Sequence, residues 1–193
     1  NVGAGTLREA ITRLASDALV TTEGQRGFRV APIAIEELED ITRLRVHVEI
    51  EALRLSIRNG GAHWRSALRH SYEAISALEQ PIDPAHRRQW ETLNVRFHEA
   101  LLSGNDSPWT QKVLGLLARH GERYRRYAMG LPGSVRDVHA EHTEIFEHAL
   151  AGREARAALA LEAHIRATPD LLAQALRTGQ LTLPPGAAAE AAP

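Results

Sequence analysis

The chain has 193 residues, 44% of them hydrophobic and 24% charged, a globular composition that excludes a disordered or collagen-like polymer. It has no cysteine, which excludes disulfides and thiolate metal sites, and no apolar run long enough to cross a bilayer; a cytoplasmic protein with no membrane partner is expected. The net charge of −1 excludes a chain that is basic throughout, so any contact with DNA must come from a local patch.

The spacing of Leu7, Ala10, Ile11 and Leu14 predicts a helix over 6–18 with one apolar face. A β-prone stretch at 19–23, turn residues at 24–27 and a second strand at 28–33 predict a short hairpin. Helix plus hairpin is half of a winged helix-turn-helix, too small to bury a core alone, and its partner helices are expected before Asn1. From Ile35 onward the pattern is helical. Helices are predicted over 36–58, 64–78, from Pro84 to about 102, 108–129, 134–152 and 154–177, with Asp83, Ser107 and Ser134 as N-caps and a bend at Pro169. Residues 180–193 read as a disordered tail. The expected fold class is mostly α, with a partial winged helix-turn-helix over 1–34 and an antiparallel bundle of about six helices over 35–179.

Polar residues on the apolar stripes carry the functional signal. Asn94 and His98 lie one turn apart beside Phe97 and Leu101; His142 lies in the row of Val135, Val138, Ile145 and Ala149; His164 lies in the row of Ala157, Leu161, Thr168 and Leu171. Three helices thus each aim a histidine inward, and neutral imidazoles in a bundle core are suited to zinc or nickel. Three core histidines with ordinary hydrogen-bond partners fit the same spacing. His139 is one turn from His142 and suits an outer partner, His120 falls near a stripe, and His47, His63, His70, His86 and His148 read as surface or interface residues. On the first bundle helix the expected stripe is Leu38, Ile41, Leu44, Val48, Ala52 and Leu55. Arg45 borders it and needs an anion, either Glu49 one turn on or a bound carboxylate. In Tyr124-Arg125-Arg126-Tyr127 the tyrosines line a pocket or pack, and the arginines are expected in solvent.

Arg8-Glu-Ala10, Leu14, Leu19-Val20 and Arg26-Gly-Phe-Arg-Val30 resemble the recognition helix and wing of GntR-family bacterial transcription regulators. Arg45-Val-His-Val-Glu49, Asn94-Val-Arg-Phe-His-Glu-Ala-Leu101, the segment 141–152 and Ala163-His-Ile165 resemble, in order, the signatures of the FadR subfamily's C-terminal FCD-type domain. The resemblance implies a dimeric, effector-responsive regulator, a repressor by expectation, on palindromic operator DNA, and not an enzyme. It implies a divalent metal, zinc first and nickel or manganese as alternatives, on Asn94, His98, His142 and His164. A small carboxylate effector would bind over it, with Arg45, Tyr124 and His139 as expected contacts. Thr6, Arg8 and Arg26 are the expected DNA contacts. The chain departs from the family pattern at Asn94, where aspartate is commoner, and at Gly3-Ala4 and Thr6, where Ser-Arg and proline are usual. A helical metalloenzyme and a metal-free interaction bundle are the competing readings; the enzyme would need a general base beside the histidines, with Glu99 and Glu141 nearby in sequence.

Overall fold

The computed structural model describes residues 2–22, 24, 27–131 and 136–181, which form two compact units, 2–35 and 36–181. In the first, α1 (Ala4–Ser16) is followed by β1 (Val20–Thr22) and β2 (Phe28–Val30), paired antiparallel with Val20 opposite Val30. The helix begins two residues earlier than its periodicity predicts and ends two residues earlier, before Ala18, which takes a left-handed conformation with φ 55° that the helix cannot contain. Helix α1 buries no residue, and Leu7, Leu14, Phe28 and Val30 are exposed.

The second unit is an antiparallel bundle of six helices: α2 (Ile35–Asn59), α3 (Ala62–Ser76), α4 (Arg87–Leu102), α5 (Pro108–Ala128), α6 (Val138–Leu150) and α7 (Glu154–Arg177). The helix predicted from Pro84 opens as a short 3₁₀ turn, Pro84–His86, capped by the Asp83 carboxylate accepting from the Ala85 amide. Ser107 caps α5 by accepting from the Thr110 amide, with Pro108 in the first turn, where its missing N–H costs nothing. Asp137, not Ser134, caps α6, accepting from the Ala140 amide at 2.9 Å; Ser134 and Val135 lie outside the described residues. The turn from α6 to α7 is closed by Gly152 at φ 70°, with the Arg153 amide donating to the His148 carbonyl and the Gly152 amide to that of Ala149. Helix α7 runs unbroken through Pro169. The expected tail falls, but for its first two residues, outside the described residues.

Helix α3 packs on α4 and α6, and α7 packs on α5 and α6. Their facing stripes fuse into one core that includes Leu53, Trp64, Leu68, Trp90, Phe97, Ile145, Leu161 and Ile165. Among the described residues no helix is long and apolar enough to cross a membrane. The predicted stripe of α2 holds in part: Leu38 and Ala52 are buried and Ile41, Val48 and Leu55 half-buried, but the most buried row runs beside it. Leu44 is 50% exposed, while Thr42, Val46, Glu49, Leu53 and Ser56 are buried. Thr42 and Ser56 satisfy their hydroxyls on the carbonyls of Leu38 and Ala52, one turn back, and so sit in the core without an orphaned donor.

The backbone of α2 passes close to the turn where α4 ends. A Cβ on Gly104 would meet Ser56 Cα at 2.7 Å and its carbonyl oxygen at 2.9 Å. Backbone atoms cannot swing aside as a side chain can. Gly104→Ala is therefore expected to lower stability by about 1–3 kcal/mol in urea unfolding, the usual range for overpacking.

Candidate metal and effector site

The three stripe histidines meet. One ligand nitrogen from each of His98, His142 and His164 lies within 4.8 Å of the others, and ring centroids are separated by 4.8 to 5.5 Å. They come from α4, α6 and α7, so packing of these helices, not local sequence, brings them together. Phe97 walls the cluster, with its ring centroid 4.9 Å from that of His142 and edge-on to His98 at 5.4 Å.

The outer nitrogens of two of the rings are engaged. The Nδ1–H of His142 donates to Glu79 Oε1 at 2.8 Å, and that of His164 to Glu141 Oε2 at 2.7 Å. Arg136 Nη2 also stands 3.3 Å from His164 Nδ1. Both atoms are donors in that arrangement, so this is a close approach and not a second hydrogen bond. The carboxylates leave Nε2 of both rings with its lone pair free. His142 Nε2, His98 Nδ1 and Asn94 Oδ1 are buried with no hydrogen-bond partner. Orphaned acceptors of this kind are rare in a folded interior and are what a cation's ligand set looks like. Nitrogens bound to one zinc at about 2.0–2.1 Å stand about 3.3 Å apart, a small side-chain adjustment inside the observed bound. The residues therefore fit a divalent ion.

Desolvation holds His98 and His164 well below the ordinary imidazole pKa. For His98 the neighbouring His164 and His142 add to the effect; for His164 it is His142 and then Arg136. Both rings are thus neutral at neutral pH, the form that ligates metals.

Two cavities flank the cluster. One, of about 80 Å³, is lined by Arg45, Glu49, Asn94, His98 and Arg125 among others; a roomier one of about 230 Å³ is lined by Trp90, Asn94, Arg125, Arg136, His164 and Thr168 among others. Asn94 and Arg125 border both. Arg45 makes the ion pair expected of it, with Nε donating to Glu49 Oε1 at 2.6 Å, and its guanidinium also borders the smaller cavity. Gly121 leaves room for it, since a Cβ there would lie 3.0 Å from Arg45 Nη1.

Other expected contacts fall elsewhere. Tyr124 is fully buried and borders neither cavity; its hydroxyl donates to Glu37 Oε2 at 2.8 Å. His139 lines a separate hollow with Glu79 and Gln80, its Nε2 3.0 Å from Gln80 Nε2. Arg125, expected in solvent, is instead part-buried and bidentate on Glu91, at 3.3 and 2.7 Å, while Arg126 is exposed. Glu79, Glu91, Arg125 and Arg136 are the site residues that the sequence pattern does not single out. His120 is buried and His148 half-buried, while His47, His63, His70 and His86 are exposed. Thr6 and Arg8 are exposed on α1, and Arg26 lies outside the described residues.

Residues 40–167 match the FCD domain. The chain is 39% identical over 176 residues to BphR, an HTH-type transcriptional regulator of Paraburkholderia xenovorans (strain LB400), covering 90% of this chain and 72% of the relative. The chain belongs to the GntR family of transcription regulators, with an FCD domain. It is also 29% identical over 185 residues to the transcriptional repressor GlaR of Escherichia coli (strain K12), covering 91% of this chain and 82% of that one. A solved GntR-family regulator from Pseudomonas syringae pv. tomato str. DC3000 superposes with a TM-score of 0.61 at 26% identity, over 91% of this chain and 73% of its own. The protein is a DNA-binding transcription regulator.

Proposed function

We propose that this GntR-family regulator is a repressor whose grip on operator DNA is set by a small organic acid bound at a divalent metal site in the bundle. His98, His142, His164 and Asn94 would hold the ion, with zinc the first candidate and nickel or manganese the alternatives. A bound ion would offer an open position to the carboxylate end of an effector. Arg45, Arg125 and Arg136 border the adjoining cavities, where guanidinium forks suit a carboxylate. The apolar wall of the larger one, from Trp90, Met129 and Leu171, suits the rest of such a molecule. The carrying observation is the convergence of three imidazoles, with His98 Nδ1, His142 Nε2 and Asn94 Oδ1 left without hydrogen-bond partners, beside cavities bordered by arginines.

The repressor sign follows the Escherichia coli relative's name; a homodimer through the bundle follows the family resemblance, and Thr6, Arg8 and Arg26 at the DNA follow the resemblance in the front segment. The effector can alter DNA affinity only through its differential binding to the two states of the bundle. The metalloenzyme reading is the weaker one: Glu79 and Glu141 bond to outer imidazole nitrogens, Glu49 is held by Arg45, and Glu99, which borders the smaller cavity, is exposed to solvent. Elemental analysis of protein purified without a chelating tag tests the reading. Near-stoichiometric zinc, nickel or manganese is expected; a metal-free protein whose melting is unmoved by any of the three would reduce the histidines to core residues.

A further inference from the structure

The carboxylates around the cluster are not equivalent. Glu49 is paired with Arg45, Glu91 with Arg125 and Glu141 with Arg136. Glu79 has no arginine or lysine in ion-pair range among the described residues, and its side chain is 0% exposed. Its Oε1 accepts from Trp90 Nε1 and His142 Nδ1, both at 2.8 Å, while Oε2 is buried with no hydrogen bond. The nearest other basic atom is His139 Nδ1, 3.7 Å from Oε2. Burying a carboxylate without a cation is expensive, by about several kcal/mol even after relaxation, so such a group needs a positive charge within reach. The ligand set in front of His142 has the opposite deficit. Three imidazoles and the amide of Asn94 bring no negative charge to a doubly charged ion.

We propose that Glu79 is the positioning and charge-balancing residue of the metal site. It fixes His142 with the proton on Nδ1 and the Nε2 lone pair toward the ion. Through that ring it supplies the negative charge that Asn94 does not. Arg136 neutralises Glu141, with contacts of 2.7 and 2.6 Å, so Glu141 orients His164 without contributing comparable charge. The inference rests on the metal reading above and adds to it a division of labour between the two carboxylates.

Zinc affinity, measured by competition with a chromogenic chelator, is expected to fall about 10–100-fold in Glu79→Gln, the range seen when an outer carboxylate is lost. Asn94→Asp in the Glu79→Gln background is expected to recover most of that loss, since it returns the charge to the ligand set; a purely structural role for Glu79 would not be rescued there. Nitrogen NMR of the metal-free wild type gives a readout without any variant: His142 should carry its proton on Nδ1. Wild type that binds zinc while Glu79→Gln binds it equally well would overturn this inference and leave the metal site standing. So would a His142 protonated on Nε2. Wild type that binds no zinc, nickel or manganese would overturn both. If Glu79→Gln does not fold, the tautomer measurement decides.

Discussion

Zinc at about a thousandfold excess over its dissociation constant is expected to raise the unfolding free energy of the regulator by about 4 kcal/mol, the stabilisation that any ligand of the native state alone confers at that excess. His98→Ala should remove most of this gain and leave the metal-free protein near its starting stability. The choice of histidine matters. His142 is fully buried and bonded to Glu79, so removing its ring strands a buried carboxylate and is expected to destabilise the bundle for reasons unrelated to metal. His164 is tied to Glu141 in the same way. His98 has no partner at Nδ1 and borders an existing cavity, so its loss breaks no hydrogen bond at that atom and deletes an orphaned polar group. Urea titrations with and without zinc separate the two effects. An equal zinc increment in wild type and His98→Ala would place the ion elsewhere in the molecule.

That histidine set was legible in the sequence because it obeys the helical period. His98, His142 and His164 each fall on the stripe of a long helix, and the stripes of α4, α6 and α7 face one interior. Helix α2 is legible only in part, for the converse reason, although Leu38 and Ala52 are buried as its period predicts. Its buried row includes Thr42, Glu49 and Ser56, polar residues made tolerable by bonds to the preceding turn or, for Glu49, by Arg45. A pattern rule that looks for apolar residues shifts to Leu44, which is half exposed. Glu79 left no trace, since it follows the end of α3, off any helical stripe, and its partner His142 is 63 positions away. Arg125 looked like its neighbour Arg126 because only tertiary packing brings Glu91 to one and leaves the other in solvent. Periodicity reports which face is inward; it does not report which charges meet there.

The pairing of Arg125 and Glu91 yields the second large expected effect. Arg125→Met should destabilise the bundle by about 3–5 kcal/mol, the cost of leaving one member of a buried ion pair alone. Glu91 is 4% exposed at its side chain, and Arg125 supplies its two hydrogen bonds. Adding Glu91→Leu should restore most of the loss, because a buried ion pair replaced by apolar groups of similar volume is often neutral or stabilising, by about 1–4 kcal/mol. The double variant then becomes the useful protein. Arg125 borders both cavities and is among the charges that depress the pKa of His98 and His164. Removing it together with Glu91 leaves the local charge balance nearly unchanged, so the zinc increment should survive. A stable double variant that no longer responds to zinc would mean that this ion pair braces the imidazoles themselves. A double variant as unstable as Arg125→Met alone would mean that Arg125 holds the bundle through contacts other than Glu91, such as its guanidinium 5.8 Å above the Trp90 ring.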